Sequence, residues 1–348
     1  MRGALIGCGF FAQNHLNAWR DMKADGVELV AVCDIDPNKA EAAARQFGIP
    51  RHYTDVAAML DGEKLDFVDI ATRMDTHRAI ATQVFARGIP AIVQKPLAPD
   101  WDEAVAIVDA AAAAGVEMAV HENFRYQVPL KAVRSVLDSG VIGEVTWARI
   151  SFRTGYDIYR NQPYFRKEAR FSILDVGIHV LDVARFYLGE VERLSCETQR
   201  RSPLNLGEDT ATMMLRHTSG AVSIVENTYE SRELPDPFPQ TLLVIEGTRG
   251  AIRMNPGFRM VVTSDGVTSE RIVDSPLLPW TAHPWHIAQE SVLLTQRAII
   301  GAWREKRAAD TSGEDNLKTF ALVEAAYEAA QTHQAVAPPQ HRSLKVSG

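Results

Sequence analysis

Short apolar runs alternate with helix-patterned segments through the first 120 residues of this 348-residue chain. The segments between the runs include 37–48 and 76–88, both with helical periodicity. The apolar runs lie at 4–7, 28–34, 66–72, 89–94 and 116–121. Strands that alternate with helices build a parallel sheet with helices on both faces. The first part of the chain is therefore predicted to be an α/β domain.

The pattern changes after about residue 123. Alternating apolar and polar residues, typical of strands, occur at 144–153, 209–217, 221–230, 241–247, 258–265 and 267–274. Consecutive strands joined by short turns form an antiparallel sheet. Helices are predicted at 127–139, 172–188, 283–306 and 314–332. The tail from residue 337 is predicted to be irregular.

These patterns predict two domains, a parallel-sheet domain over 1–122 and a second α/β domain over 123–348. The sheet of the second domain is expected to be open and mainly antiparallel, with its helices on one side. Such a sheet leaves one face to be covered, and a second copy of the same sheet is the usual cover. The chain is therefore expected to form a homodimer or homotetramer.

Composition excludes several classes of partner. The formal net charge is -7 and the chain has no long Lys/Arg run, so neither nucleic acid nor an anionic membrane is expected to bind. No signal peptide and no apolar run of about 18 residues is apparent, so no membrane span is expected. The three cysteines are odd in number and lack CxxC spacing, which indicates a reducing compartment. A cytoplasmic location is predicted.

A glycine motif follows the first predicted strand and leads into a helix. It consists of Gly7-x-Gly9-x-x-Ala12. Gly7 allows a tight turn, Gly9 lets the backbone approach a pyrophosphate, and Ala12 permits close packing of strand and helix. The alternative is a glycine turn that binds no nucleotide. The motif has its strand, its helix and a following strand, so dinucleotide binding is the preferred interpretation.

An acidic residue ends the second predicted strand at the position that the dinucleotide motif requires. Asp34 lies 22 residues beyond Ala12. A carboxylate there accepts both ribose hydroxyls of NAD and repels the 2′-phosphate of NADP. Asp36 adds to that repulsion, and no arginine follows Asp34 to offset it. NAD is the predicted cofactor.

Several short motifs, in order along nearly the whole chain, resemble the Gfo/Idh/MocA oxidoreductases, which include glucose–fructose oxidoreductase and inositol dehydrogenases. The motifs are GCG (7–9), VDIATRMDTHRAIA (68–81), QKPLA (94–98), NFRYQ (123–127), GVIGEV (140–145) and DVGIHVLD (175–182). The resemblance implies a Rossmann domain followed by an α/β domain whose open sheet mediates oligomers.

The resemblance also implies a set of site residues. Lys95 matches the lysine that the family directs at substrate and nicotinamide, and Asp175 and His179 match the acid and the histidine of its catalytic trio. The predicted cofactor-binding residues are Gly7, Gly9, Phe10, Phe11, Ala12, Asp34, Thr72, His77, Gln94, Lys95 and Asn123. No metal ligand is predicted, because His283-x-x-His286 lacks a placed third ligand.

The chemistry of these residues agrees with an alcohol oxidation. Asp175 and His179 are spaced i, i+4 and are expected to share one helix face, with Asp182 about one turn further on. Removing hydride from an alcohol carbon also requires removal of the hydroxyl proton. Histidine is the commonest group for that task, and a desolvated lysine can share it. The alternative for His179 is a hydrogen-bonded helix histidine without a catalytic role.

Two positions depart from the family pattern. The family usually has glutamate before the lysine, and this chain has Gln94, so Lys95 lacks one neighbouring carboxylate. The family often has proline where this chain has Arg73. That side chain is expected either to contact a cofactor phosphate or an acidic substrate group, or to point to solvent.

The predicted substrate is a sugar or polyol. Its predicted contacts are Lys95, Arg125, Tyr156, Asn161, Arg166, Asp175 and His179. The segment 152–171 is rich in hydrogen-bond donors, and Trp280, Trp285, His283 and His286 offer further stacking and polar groups. Because GYDIYRNQPY resembles pentose dehydrogenases of the family, an aldose such as D-apiose is one candidate and an inositol-like polyol another. The alternatives are redox-neutral, NAD-dependent cleavage of a glycoside and a nonenzymatic NAD-dependent sensor.

Overall fold

The computed structural model describes residues 1–341, and residues 342–348, the end of the predicted irregular tail, lie outside the described part. The chain divides into two compact units. The first unit contains Met1–Asn123, Gln289–Lys318 and His341, and the second contains Phe124–Ala288 and Thr319–Gln340. Residues 289–318 thus belong with the N-terminal unit, although the predicted second domain includes them.

The first unit is built on a six-stranded parallel sheet. Its strands are β1 (Arg2–Ile6), β2 (Glu28–Cys33), β3 (Arg51–Tyr53), β4 (Phe67–Ile70), β5 (Ala91–Gln94) and β6 (Met118–His121). The helices between them are α1 (Ala12–Asp21), α2 (Pro37–Phe47), α3 (Val56–Gly62), α4 (Met74–Phe85) and α5 (Trp101–Ala114). Strands β4, β5 and β6 are buried along their whole length, as a sheet covered on both faces requires.

The strand order of this sheet is β3-β2-β1-β4-β5-β6. The order reverses between β1 and β4, so a crevice opens outside the carboxyl ends of these two strands. Ligands of doubly wound sheets bind at this point. The fold therefore places the glycine motif, which follows β1 directly, at the edge where a dinucleotide is held.

The second unit contains an eight-stranded mixed sheet in the order β14-β13-β12-β11-β7-β10-β9-β8. Its strands are β7 (Val145–Arg153), β8 (Val191–Gln199), β9 (Thr210–His217), β10 (Val222–Thr228), β11 (Leu242–Gly247), β12 (Gly250–Asn255), β13 (Arg259–Ser264) and β14 (Val267–Ile272). Most neighbours pair antiparallel, as predicted, but β7 and β10 run parallel. The sequence patterns missed β8 and β12.

The remaining helices are α6 (Val128–Asp138), α7 (Ile178–Leu188), α8 (His286–Arg304) and α9 (Gly313–Thr332). A π-helical turn, Ile173–Gly177, precedes α7. The prediction of one regular helix over 172–188 was therefore wrong in its first turn. Single π-helical turns occur most often at functional sites, and this one carries Asp175. Within residues 1–341, no helix is both long enough and apolar enough to cross a lipid bilayer.

Candidate active site

The turn after β1 has the geometry of a pyrophosphate-binding loop. Gly7 adopts φ +93°, and a β-carbon there would lie 2.6 Å from the carbonyl oxygen of Ala71, so only glycine fits. At Gly9, in contrast, a β-carbon would meet no heavy atom of the described residues within 4 Å. The backbone is therefore open to a ligand on the Gly9 side and tightly packed on the Gly7 side.

The helix that follows offers its amino end to an anion. Phe11 occupies the N-cap of α1 and makes no side-chain cap hydrogen bond, while the N–H groups of Gln13 and Asn14 donate to the carbonyl oxygens of Phe10 and Phe11 at 3.4 and 3.0 Å. The helix dipole favours a phosphate at this end of α1. Phe10 is 57% exposed beside the turn, and Phe11 packs edge-on against the ring of His15. The residues at this loop fit a dinucleotide pyrophosphate.

Asp34 is fixed to the glycine turn by its own carboxylate. Oδ2 accepts the backbone N–H of Cys8 at 2.7 Å, and Oδ1 accepts that of Asp36 at 2.9 Å. Asp36 in turn caps α2, because its side chain accepts the N–H of Asn38. The carboxylate of Asp34 therefore lies at the carboxyl end of β2, where the ribose of a dinucleotide is recognised.

His77 joins two loops at the carboxyl edge of the sheet. Its Nδ1 lies 3.0 Å from the carbonyl oxygen of Leu97, and its Nε2 lies 3.2 Å from that of Thr72. The ring is buried, and burial lowers the pKa of His77 while the carbonyl contacts partly oppose that effect. The ring of His77 thus contacts Thr72, the other predicted cofactor residue of this region, at the backbone carbonyl of Thr72.

Arg73 follows Thr72 and begins the approach to α4. Its Nε lies 3.5 Å from Oδ1 of Asp75, and both side chains are more than half exposed. Thr76 donates a hydrogen bond from its hydroxyl to that of Thr72 and so closes the same turn. The solvent-facing alternative for Arg73 agrees with this placement.

Lys95 follows β5 at the same edge, and Gln94 anchors its backbone. The side-chain Oε1 of Gln94 accepts the backbone N–H of Lys95 at 2.6 Å, and its Nε2 lies 3.0 Å from Nε2 of His15. The Lys95-Pro96 peptide is cis. Lys95 is half-buried and begins the loop that continues to Leu97, which His77 contacts.

A buried polar network continues from Gln94 into the sheet. Nδ1 of His15 lies 2.7 Å from Oδ2 of Asp69, which also accepts the indole N–H of Trp19 at 2.7 Å. Burial raises the pKa of Asp69, but the hydrogen bonds from His15 and Trp19 act in the opposite direction, and the net pKa is lowered. The ring of His121 lies 4.2 Å from that of His15, and burial lowers its pKa to about 3.

Asn123 ends the first unit. Its Nδ2 donates a 2.7 Å hydrogen bond to Oγ of Ser291, and the pair is buried. Ser291 lies on α8, so the returning C-terminal segment orients the predicted cofactor residue. No sequence signal indicates this contact, because 168 residues separate the two positions.

In the second unit, Asp175 lies in the π-helical turn and is oriented by Tyr229. The phenol of Tyr229 donates a 2.6 Å hydrogen bond to Oδ2 of Asp175. Burial, then the charge of Asp175, raise the pKa of Tyr229 well above its ordinary value, so the phenol keeps its proton. A β-carbon on Gly177 would lie 3.0 Å from Oδ1 of Asn227, which shows how closely the turn approaches β10.

His179 lies in the first turn of α7 and is buried. Its ring stacks on Phe124 with a centroid distance of 3.9 Å and an interplanar angle of 3°. Phe124 also contacts Phe152 of β7, and Phe152 contacts Tyr229. Asp175 and His179 are thus supported by one aromatic cluster, in which Tyr229 and Phe124 were missed from the sequence.

Arg125 forms a buried ion pair with Asp182. Its Nε lies 2.8 Å from Oδ2 and its Nη2 lies 2.5 Å from Oδ1, a bidentate geometry. Asp182 also accepts the hydroxyl of Thr319, which accepts a hydrogen bond from Arg185. Asp182 therefore accepts hydrogen bonds from both Arg125 and Thr319, and the role of Arg125 toward the substrate stays a prediction.

An aromatic wall lies at the start of the donor-rich segment. Tyr156 stacks on Phe238 at 4.2 Å, and Trp285 packs edge-on against both rings. The indole N–H of Trp285 donates to the phenolic oxygen of Tyr156 at 3.3 Å. Phe238 contacts Phe152, so the wall joins the aromatic cluster beneath Asp175 and His179. Phe238 carried no signal in the sequence patterns.

Tyr159 and Arg166 form a second group in the same segment. The guanidinium of Arg166 lies 3.9 Å above the ring of Tyr159, and its Nη1 donates to Oδ1 of Asn205 at 3.3 Å. Asn205 donates to the phenolic oxygen of Tyr159 at 2.7 Å. Burial raises the pKa of Tyr159 to about 12. Asn161 is exposed in the turn between these residues.

The two histidines considered for a metal site have other contacts. Nε2 of His286 lies 2.8 Å from Oδ1 of Asp274, and the rings of His283 and His286 lie 4.0 Å apart. Over residues 1–341, no three or more His, Cys, Asp or Glu side chains are grouped to hold a metal ion.

Comparisons with known proteins agree with this geometry. Residues 1–122 match a family model described as an oxidoreductase family with an NAD-binding Rossmann fold, and residues 130–253 match the GFO/IDH/MocA C-terminal domain. The chain is 47% identical to a D-apiose dehydrogenase of Rhizobium rhizogenes over 97% of each chain. It is 45% identical to a D-apiose dehydrogenase of Paraburkholderia graminis over 96% of this chain and 89% of that one.

Solved structures give the same result. An oxidoreductase from Agrobacterium radiobacter, in complex with NAD+, L-tartaric acid and magnesium, is 46% identical and superposes with a TM-score of 0.95 over 97% of this chain and 98% of that one. A levoglucosan dehydrogenase in complex with NADH, at 23% identity and a TM-score of 0.85, shares the fold. The chain therefore belongs to the GFO/IDH/MocA family of NAD-dependent oxidoreductases.

Proposed function

We propose that the protein oxidises a hydroxyl of D-apiose, or of an aldose closely similar to it, with NAD. The observation that carries this proposal is the identity of 47% and 45% to two D-apiose dehydrogenases over nearly the full length. In the reaction a sugar CH–OH becomes a carbonyl. Hydride leaves the carbon for the cofactor, and the hydroxyl proton passes to the protein and then to water.

We further propose Lys95, Asp175 and His179 as the catalytic residues. NAD, when bound, supplies the hydride acceptor. His179 is suited to accept a proton because it is a buried imidazole held against Phe124, with its orientation fixed by stacking. Asp175 is held by Tyr229 and supplies a fixed negative charge. Lys95 supplies a cationic group whose backbone Gln94 anchors.

Binding of the cofactor is proposed to use the glycine turn and Asp34. The open Gly9 side of the turn and the positive end of the α1 helix dipole suit the pyrophosphate. The remaining proposed contacts are Phe10, Phe11, Ala12, Thr72, His77, Gln94, Lys95 and Asn123. Of these, His77 acts through the two loops that it joins, because both of its ring nitrogens face carbonyl oxygens.

The aromatic wall of Tyr156, Phe238 and Trp285 is proposed to contact the sugar. Aromatic faces suit the C–H face of a sugar ring, and the phenol and indole supply polar edges. Arg166 and Asn161 extend the proposed contacts along the same segment. Arg125 is proposed to contribute through its ion pair with Asp182.

Measuring NADH formation with purified protein tests this function directly. D-apiose, D-xylose, myo-inositol and an alkyl glycoside are compared at equal concentrations with NAD. The proposal expects NADH to form stoichiometrically with oxidised sugar and kcat/KM to be largest for D-apiose. Cleavage of the glycoside without NADH release, or NAD binding without turnover of any sugar, would contradict it.

A homodimer or homotetramer formed through the eight-stranded sheet is also proposed. Four side chains lie in one row across β9, β10, β7 and β11, because Met214 pairs with Ile224, Ile224 with Arg149 and Arg149 with Val244. Met214 is 52% exposed. An apolar row interrupted by Arg149, which is paired with Glu226, suits a second copy of the same sheet.

A cytoplasmic location is proposed on the state of the cysteines. Cys8, Cys33 and Cys196 are free and buried. Burial raises the pKa of Cys8 and of Cys196 to about 12 and that of Cys33 to about 11, so the thiols stay protonated. Free thiols are typical of proteins kept in reducing compartments.

A further inference from the structure

The side chain of Gln94 has only one orientation that satisfies its neighbours. The backbone N–H of Lys95 can only donate, so the group 2.6 Å from it must be the amide oxygen. The amide nitrogen then faces Nε2 of His15 at 3.0 Å. Because an amide nitrogen carries only donors, Nε2 of His15 must accept and carries no proton.

The second ring nitrogen of His15 follows from the same reasoning. A neutral imidazole with a bare Nε2 carries its proton on Nδ1, which lies 2.7 Å from Oδ2 of Asp69. That oxygen also accepts the indole N–H of Trp19. The side chains of His15 and Asp69 are 0% exposed, so both lie out of reach of bulk solvent.

We infer that Gln94 is a positioning residue, which fixes His15 as the neutral Nδ1-protonated tautomer and ties the backbone of Lys95 to the buried carboxylate of Asp69. The chain of contacts runs from Lys95 N–H through Gln94 and His15 to Asp69. This inference rests on the proposed function only in giving Lys95 a catalytic role. The tautomer and the backbone anchor follow from the geometry alone.

The charge of the network explains what glutamate at position 94 would do. With glutamine, the network holds one buried negative charge, on Asp69. A glutamate would place a second carboxylate oxygen against the bare Nε2 of His15, which is repulsive in a buried site. A second proton on the His15 ring removes the repulsion and restores the net charge of the network to −1. Gln94→Glu therefore changes the protonation of His15 and not merely the charge beside Lys95.

Nitrogen NMR of histidine-labelled protein tests the tautomer. In the wild-type protein, His15 should show one protonated nitrogen, Nδ1, and one bare nitrogen, Nε2, at pH 7. In Gln94→Glu both nitrogens should be protonated. Gln46→Glu, on the exposed face of α2, is the matched charge control and should leave His15 unchanged. A wild-type ring protonated on Nε2, or an unchanged ring in Gln94→Glu, overturns the inference.

Gln94→Met tests the anchor without adding charge. Amide exchange at Lys95 should quicken at least about tenfold, since the oxygen that accepts its N–H is lost, while exchange at Ile92 in the middle of β5 stays the same. Unchanged exchange at Lys95 overturns the anchor whatever the activity. This readout stays informative if Gln94→Glu fails to fold.

Kinetics then connect the anchor to catalysis. Gln94→Met should lower kcat about 10- to 100-fold, the loss that a displacement of about 1 Å produces. In a Lys95→Met background the same change should cost almost nothing. If Gln94→Met lowers kcat by the same factor in the wild type and in Lys95→Met, the positioning role is overturned and a structural role is indicated. Full turnover by Lys95→Met alone would instead contradict the proposed function, and the NMR and exchange results would stand.

Discussion

The phenolic oxygen of Tyr229 lies 2.6 Å from Oδ2 of Asp175 and donates a hydrogen bond to it. Tyr229 follows β10 directly, whereas Asp175 lies in the π-helical turn before α7. The contact joins the eight-stranded sheet to the proposed catalytic residue, and the high pKa of the phenol keeps its proton in place.

Replacing Tyr229 with phenylalanine should impair catalysis more than folding. A hydrogen bond to a charged group contributes about 1.5–3 kcal/mol, so kcat is expected to fall roughly 10- to 100-fold. Tyr187→Phe is the matched control, because its hydroxyl donates only to the carbonyl oxygen of Leu130. Steady-state kinetics with NAD and sugar give the comparison. Equal losses in the two variants would show that Tyr229 has no special role.

Lys95→Met and His179→Ala should each lower kcat about 10²- to 10⁴-fold, the range for a general acid–base residue. The double variant should lose less than the product of the two factors, because residues that act as a unit are not additive. Lys131→Met, at an exposed position on α6, serves as a control. Purely multiplicative losses would indicate that Lys95 and His179 act independently.

Asp34→Ala should narrow the preference for NAD over NADP. Removing the carboxylate takes away the acceptor for the ribose hydroxyls and the repulsion of a 2′-phosphate. It also frees the N–H groups of Cys8 and Asp36, so NAD binding should weaken. Fluorescence titration with both cofactors measures the ratio. Asp36→Asn, which keeps the α2 cap and removes only the added repulsion, should narrow the ratio less than Asp34→Ala does, and NADP binding as tight as NAD in the wild type would contradict the assignment.

Ile224→Glu should dissociate the proposed oligomer. Ile224 lies in the middle of the row between Met214 and Arg149, and a carboxylate there would be buried against the second copy. Sedimentation velocity at micromolar concentration should show the wild type as a dimer or larger and the variant as a monomer. Leu204→Glu, at an exposed leucine outside the sheet, is the control. A monomeric wild-type protein would rule out the proposed interface.

Acid should destabilise the fold through His121. Burial lowers its pKa in the native state to about 3 from an ordinary value of 6.5, so below pH 6.5 the unfolded chain binds a proton that the native chain does not. The contribution of His121 is therefore fully present above pH 6.5 and is lost, at up to about 1.4 kcal/mol per pH unit, as the pH falls toward 3.

Urea denaturation between pH 7 and pH 4 measures this dependence. His121→Gln should flatten the fall in the free energy of unfolding, whereas His52→Gln, at an exposed position, should not. The lowered pKa of Asp69 acts in the same direction at still lower pH, because its contribution is fully present above the unfolded-state pKa and is lost as the pH falls through the lower native pKa. Parallel curves for wild type and His121→Gln would contradict the prediction.

The sheets were largely predictable because their strands carry clear apolar patterns. Three strands, β3, β8 and β12, were missed, and the first two of them lack such a pattern. In β8 the register shifts between Val191 and Arg193, which breaks the alternation, and β3 is a three-residue edge strand with no buried side chain. The parallel pairing of β7 with β10 was also beyond the sequence, because successive short turns suggest antiparallel neighbours only.

The proposed site was predictable where motifs are local. The glycine turn, Asp34 and Lys95 follow strands directly, so their place at the edge of the sheet follows from the strand pattern. The network of Gln94 joins side chains from distant segments and has no local signature. Likewise, i, i+4 spacing predicted that Asp175 and His179 share one helix face. It did not reveal that Asp175 lies in a π-helical turn, which precedes the regular helix that carries His179.

The return of residues 289–318 to the first unit constrains how the protein can be made. Ser312 forms a β-bridge with Ala119 of β6, and the N–H of Val120 donates to the carbonyl oxygen of Thr311. The side-chain amide of Asn123 donates a hydrogen bond to the hydroxyl of Ser291. When only residues 1–123 have been synthesised, the residues that contact β6, the last strand of the nucleotide-binding sheet, are therefore still missing. That sheet can reach its final state only after the whole second sheet has been synthesised, so excision of 1–122 as a fragment would leave its edge strand uncovered.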